Sequence, residues 1–325
     1  MLGEIIAILA VLTFVVSNVI FRKTELEASP IFINLFRTIT GMITFFLLSL
    51  FLNVLHYIFV LPFEIWLLLF ISFLFGQVIG DTAYFIAQKE LGTTIALAVS
   101  MTFPIFTFIL SLFFLERPFE IRMLFSLILV VTGILIIGKN KITTSSYEIK
   151  LGKNKAEELY KPLKSLLKNT SFKALLAGVI ASLGWATGLV IIDFTTNEID
   201  NLLATNEISS ILGNTIRFPF AVLILTLMYV RENKISRRTN TALKSKRSRR
   251  TYMLLILGSI IGTSLGAYLY TEAARVAGAN IMSLIATASP LFALPLTYWV
   301  NKEKITKLGF LGVILTIIGV LLIII

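Results

Sequence analysis

The chain has 325 residues, of which 57% are hydrophobic and 14% charged, with a formal net charge of +11 and no cysteine. An ordinary soluble domain carries about 25% charged residues, so this composition excludes a water-solvated fold of this length and fits lipid as the solvent. The absent cysteines exclude disulfides, thiolate metal sites and cysteine nucleophiles. The basic residues gather in 139–173 and 231–250, which reads as two cationic loops held at an anionic membrane face and not as a nucleic-acid surface.

Apolar runs of about 20 residues, the length that crosses a bilayer as a helix, predict ten spans: 5–21, 31–52, 65–87, 94–115, 121–138, 174–194, 208–230, 252–274, 281–300 and 308–325. Helices are required because lipid offers no partner to an unpaired backbone group. The first run begins at Glu4 without a basic region and ends at Arg22-Lys23, so it is read as a retained span and not as a cleaved signal. The second carries Asn34 and Arg37. In the third, Gln77, Asp81, Tyr84 and Gln88 follow i, i+4, i+7, i+11 and share one helical face. Asp81 lies about 9 Å inside the end of this span at the helical rise per residue. It is a candidate proton or cation site in a polar pathway, the alternative being an interhelical hydrogen-bonded seam. Pro104 falls inside the fourth span, and Pro219, Pro290 and Pro295 inside later ones, where proline kinks or breaks a helix; Pro30, Pro62, Pro118 and Pro162 fall in connections.

The sixth span holds Trp185, a candidate for the cavity wall or for plain packing, and Asp193 near its end. The seventh offers Glu207, Ser210, Asn214 and Arg217, again on one face. Arg37 and Arg217 are candidates to neutralise an anionic substrate or to pair with acids in alternating gates; the competing reading is a long side chain snorkelling to the interface. The eighth carries Tyr270 and Glu272. Glu272 joins the pathway candidates, although it and Asp193 lie near span ends, where solvated acids are ordinary. Gly76 and Gly80, and Gly258, Gly262 and Gly266, recur every four residues, a spacing that lets helices approach closely.

An internal repeat organises these features. Displaced by 186 positions, residues 76–137 overlay 262–323 without a gap: Gly76 on Gly262, Gly80 on Gly266, Tyr84 on Tyr270, Gly92 on Gly278, Pro104 on Pro290 and Gly133 on Gly319. Asn34-x-x-Arg37 meets Asn214-x-x-Arg217 at an offset of 180, and Phe14 meets Trp185 at 171. The predicted fold is therefore an all-α integral membrane protein of ten transmembrane helices in two inverted five-helix repeats, because five spans is an odd number and the second set must enter from the opposite side. Such a pseudo-two-fold places a substrate near the midplane between the halves. Pro104 and Pro290 are candidate hinges. Connections after odd-numbered spans hold 24 Lys and Arg and those after even-numbered spans hold 3. This bias predicts both termini outside a cell membrane and the two long loops inside.

The segments SMTFPIFTFILSLFFLERPFEIRMLFSLILVVTGILII (100–137) and ATASPLFALPLTYWVNKEKITKLGFLGVILTIIGVLLII (286–324) each show a proline within the helix, a Glu-Arg or Lys-Glu at the turn and a closing-helix glycine. They resemble the last two helices of an EamA domain, and nearly the whole chain resembles the ten-helix EamA-type transporters of the drug/metabolite transporter superfamily. The resemblance implies EamA-like repeats at 1–138 and 174–325 joined by a lysine-rich loop at 139–173. It also implies alternating-access transport of small metabolites with a proton or an exchanged solute. Glu116 and Glu303 differ by one place in the repeat register, and family members are often drawn with both termini inside, against the charge count.

No enzyme is read. His56, the one histidine, falls in a predicted loop and leaves no two-histidine metal site. The Gly-x-Ser-x-Gly spacing at Gly262–Gly266 and the Gly-x-x-x-x-Gly-Lys spacing at Gly133–Lys139 fall in or at the end of predicted membrane spans and not in strand-to-helix turns, and Asn140 stands where a phosphate loop carries Ser or Thr. Neither is read as an elbow or a phosphate loop, so no cofactor is expected and transport is expected to run on a gradient, on exchange or through a partner protein. The expected partners are the bilayer and a small-molecule substrate. Rival readings are a lipid or lipid-linked carrier translocase and a non-transporting membrane assembly partner.

Overall fold

The computed structural model describes residues 2–115, 121–139, 156–204, 208–238 and 247–301, together with parts of 310–322. Among them there is no strand. The helices are α1 (Leu2–Arg22), α2 (Pro30–Phe51), α3 (Phe63–Leu91), α4 (Thr93–Ser100), α5 (Phe103–Phe114), α6 (Ile121–Lys139), α7 (Ala156–Leu203), α8 (Ser209–Arg238), α9 (Arg249–Ala277), α10 (Ala279–Ala286) and α11 (Ser289–Asn301). Seven segments among the described residues are long and apolar enough to cross a membrane: α1, α2, α3, Lys173–Leu203, Ser209–Ile235, α9 and Ala279–Val300; Phe103–Phe114 and Leu124–Gly133 are shorter apolar helices. The surface they present is apolar, with Phe46, Phe113, Leu227 and Met253 exposed, as a multi-pass membrane protein requires of its lipid-facing side.

Local chemistry sets the ends. Ser29 caps α2 by accepting the Phe32 N–H, with Pro30 at the first turn, and Ser248 caps α9 by accepting the Thr251 N–H. Gly92 (φ 83°, ψ 162°) stops α3 and Gly278 (φ 86°, ψ 158°) stops α9. Only glycine adopts this backbone readily, and each leads straight into the next helix. The fourth predicted span is divided at Met101 and Thr102, and the ninth at Thr287 and Ala288. Pro104 and Pro290 consequently sit in the first turn of α5 and α11, where a missing N–H costs nothing. The predicted connection 139–173 is helical from Ala156 onward, so Pro162 lies within α7 and not in a loop.

Each of α3 and α9 widens into a π-helical stretch, Leu74–Asp81 and Ile260–Leu265. These start 186 positions apart, as do Gly92 and Gly278 and the two helix breaks. The packing is reciprocal in the same sense. α1 lies along α9, α7 crosses the π stretch of α3, and α2 lies along α8. A Cβ on Gly266, Gly262 or Gly258 would meet Thr13, Ser17 or Phe21 in turn, so α1 and α9 run antiparallel. At the other crossing, Gly184 faces the Gly80 backbone and Gly188 the Gly76 backbone.

These contacts are graded. A Cβ on Gly184 would stand 2.5 Å from the Phe75 carbonyl oxygen, whereas one on Gly76 would stand 3.7 Å from the Gly188 Cα. Gly184→Ala is expected to cost about 1–3 kcal/mol, since backbone on both sides must move apart. Gly76→Ala is expected to be neutral or slightly stabilising, because alanine is the better helix former by about 1 kcal/mol. Thermal denaturation of the two variants in detergent checks this; equal melting temperatures would refute the close crossing.

Candidate functional site

Where α3 and α9 open into π stretches, the small residues Gly76, Gly188, Gly262, Gly266 and Ala267 leave room for a cavity of about 830 Å³ including its mouth. Its wall is mainly apolar, with Phe14 from α1, Phe73 from α3, Phe103 from α5, Trp185 from α7 and Met282 from α10. Against that wall stand six of the residues singled out in the sequence: Arg37, Gln77, Asp81, Trp185, Arg217 and Tyr270.

Asp81 is 5% exposed and Arg37 6%. The Asp81 carboxylate accepts from Trp185 Nε1 at 2.8 Å and pairs with Arg37 Nη2 at 3.4 Å. Arg37 Nε donates to Thr263 Oγ1 at 2.8 Å, its guanidinium lies 5.4 Å from the centre of the Phe85 ring, and its Nη1 has no hydrogen-bond partner among the described residues. Behind the pair, the Asn34 amide donates to the Gln77 carbonyl and to Thr82 Oγ1, while Gln77 Nε2 donates to Asn34 Oδ1 and Thr38 Oγ1. Asn34 does not line the cavity; it fixes Gln77, which does.

Arg217 is built differently. Its Nε and Nη2 both donate to Asn214 Oδ1, at 3.1 and 2.8 Å, and Nη2 donates to Thr271 Oγ1 at 3.0 Å. Nη1 reaches only Ser72 Oγ, at 3.5 Å, and the guanidinium sits 4.5 Å over the Phe73 ring. Among the described residues no carboxylate lies within ion-pair distance of it. At the repeat position of Asp81 the second half carries Ala267. Asn214 thus orients Arg217 as Asn34 orients Gln77, but no described carboxylate neutralises it. Snorkelling fails for both arginines, since their side chains are buried.

A chain of membrane helices folded around a central, charged cavity is the build of a membrane transporter, and the comparisons agree. The EamA-like transporter family matches residues 1–139 and 172–325. The chain belongs to that family. An uncharacterized transporter of Archaeoglobus fulgidus is 23% identical over 325 residues, covering 99% of this chain and 98% of its own. A protein solved by crystallography, 13% identical, superposes with a TM-score of 0.66 over 99% of this chain and 96% of its own, a likeness of fold. Family and relative indicate a transporter and not an enzyme.

Within this EamA-like chain the remaining candidates lie off the cavity. The predicted polar face of the third span divides at Asp81, because the π stretch unwinds α3 and shifts the phase of the residues beyond it. Tyr84 is fully buried against Phe14, Phe85 and Trp185 and donates to Gln88 Oε1 at 2.6 Å. Gln88 in turn donates to Glu25, which Arg22 also holds. Burial raises the Glu25 carboxyl to about 7 against the opposing pull of Arg22. Tyr84 and Tyr270 therefore differ in surroundings despite their shared repeat position. Glu272 accepts from Ser210 and is ion-paired with Arg275, which also pairs with Asp200. Asp193 is fully buried and accepts the Ala279 N–H at the start of α10 at 2.7 Å. The solvated-acid reading of Glu272 and Asp193 is overturned: each is buried and satisfied within the protein. Glu207 lies outside the described residues, as do Glu116 and Glu303.

Sequence reasoning missed Ser72, Phe73, Phe85, Thr263 and Thr271, which touch the two guanidinium groups beside Asp81 and Asn214. Serine and threonine are common in membrane helices and carry no charge to mark them. The difference between the arginines is testable. Arg37→Met leaves Asp81 buried without its cation and is expected to cost about 3–5 kcal/mol. Asp81→Asn added to it should recover most of that loss, as read by thermal melting of the single and double variants. Additive losses would mean that the pair is not coupled.

Proposed function

We propose that this EamA-like protein is a secondary, alternating-access transporter of small metabolites, built as ten transmembrane helices in two inverted five-helix repeats, 1–138 and 174–325. The observation that carries the reading is the cavity: corresponding segments of both sequence halves line it, and it holds an ion pair and a second buried guanidinium. Buried charge is expensive in a bilayer and is tolerated chiefly where it serves a pathway. The paired π stretches, the positive-φ glycines and the reciprocal crossings support the repeat. Odd-numbered halves of this kind rock about a central site, and the breaks beside Pro104 and Pro290 are the natural bending points.

Asp81 is the proposed coupling carboxylate. Ionised, it holds Arg37; protonated, it releases that guanidinium, so a proton arriving at Asp81 changes the cation available to the cavity. The energy is a gradient or an exchanged solute. The 24-to-3 distribution of Lys and Arg supports extracellular termini.

Solute counterflow in proteoliposomes, scanned over metabolite classes, tests transport itself. With a solute in hand, Asp81→Asn is expected to lower proton-driven uptake by at least about 10-fold, the contribution of one well-placed proton carrier, while exchange persists. Undiminished driven uptake would reduce Asp81 to a structural seam. A single cysteine at exposed Lys23 in this cysteine-free chain tests the orientation. Labelling of intact cells by a membrane-impermeant thiol reagent would place the loop outside and reverse the orientation proposed.

A further inference from the structure

We propose that the cavity is charge-selective and takes an organic monoanion, its acidic group held by Arg217 and its apolar body laid against Phe14, Trp185 and Tyr270. The transport reading gives this binding its purpose; the binding itself rests on the geometry of Arg217.

Among the described residues, two arginines and one carboxylate line the cavity. Asp81 is committed to Arg37 and to the Trp185 indole, so the lining carries one surplus positive charge, and it resides on Arg217. That side chain is 5% exposed. Its described partners, Asn214, Thr271 and Ser72, are neutral oxygens. Neutral oxygens and the face of Phe73 orient a guanidinium and soften its desolvation, but they do not cancel its charge. An uncompensated buried cation is a standing cost to the fold, and its value is realised when an anion binds it.

The arrangement also selects the ligand's form. Asn214 occupies Nε and Nη2, whereas Nη1 has one long contact. The open donors therefore lie on the Nη1 side, where a carboxylate or another acid oxyanion completes the planar group's hydrogen bonds. One surplus charge matches one negative charge. A cation is repelled, and a neutral molecule leaves the guanidinium unsatisfied. The rest of the wall is aromatic and aliphatic, which favours an acid with an apolar body over an inorganic ion or a polyol. The first half of the sequence shows the alternative solution to the same problem: there the matching arginine has a built-in carboxylate, and the second half has Ala267 in its place.

Three probes share one ring and differ in charge: benzoate, benzamide and benzylammonium. Each is titrated against the purified full-length protein in uncharged detergent, with binding read by calorimetry and thermal shift. Benzoate is expected to bind saturably, at least about 10-fold more tightly than either isostere, the scale set by an unpaired polar group in the losing complexes. Arg217→Gln is expected to erase that preference while the unliganded melting temperature holds or rises, because the charge removed has no described counter-charge. Arg217→Lys should keep the preference for benzoate at reduced affinity. The proposal fails if benzamide binds as tightly as benzoate, if Arg217→Gln retains the preference, or if chloride at equal concentration reproduces the benzoate effect. Counterflow separates this from the reading beneath it. Anion-selective binding without counterflow of any solute removes transport and leaves the site; counterflow of neutral solutes without anion preference does the reverse.

Discussion

Backbone lies against backbone where α7 crosses α3, and much of the site depends on that contact. Gly184 and Gly188 meet Gly80 and Gly76 with no side chain between them. In lipid there is no hydrophobic drive to bring helices together, so van der Waals packing of this kind and interhelical hydrogen bonds must hold them. The crossing sets Trp185 one residue beyond Gly184, within reach of Asp81, and it leaves the cavity open beside it. At the corresponding crossing, Gly262 and Gly266 face Ser17 and Thr13 of α1. There the approach is less intimate, because hydroxyl side chains occupy the place that glycines hold in the first.

Two buried guanidinium groups show how similar positions acquire different work. Both are fixed by neighbours on adjacent helices, and both rest on aromatic rings. One is paired with a carboxylate and the other is bonded to amide and hydroxyl oxygens alone. In water the distinction would be slight, since solvent screens either group. In the membrane interior the same distinction decides whether a charge is neutral as built or awaits a partner.

Much of the membrane architecture was legible in the sequence because lipid imposes long apolar runs and a duplicated chain repeats its punctuation. Arg37, Gln77, Asp81, Trp185, Arg217 and Tyr270, which line the cavity, were singled out because charge, amide or aromatic bulk within an apolar run is conspicuous. Their neighbours were not. Thr263 and Thr271 look like any hydroxyl that satisfies itself on its own helix, as Thr38 does on the Asn34 carbonyl. The helical-wheel argument for Tyr84 and Gln88 assumed one uniform period, and the π stretch ahead of them removed it. Glu272 and Asp193 were misread because proximity to a span's end says nothing about what another helix, carrying Ser210, Asp200 or Ala279, brings against it or its partner.

The reciprocal crossings bear on how the chain is made. α1 emerges well before α9, yet it packs chiefly on that helix, and its Thr13 and Ser17 face glycines there, Gly266 and Gly262. Until α9 is inserted, that face of α1 has only lipid or the insertion machinery to meet. α7 completes its contact with α3 much sooner. Assembly in the membrane is therefore ordered, with α1 seated only after the much later α9 is made. A chain released before α9 would leave the Thr13 and Ser17 face of α1 without the glycines it packs on.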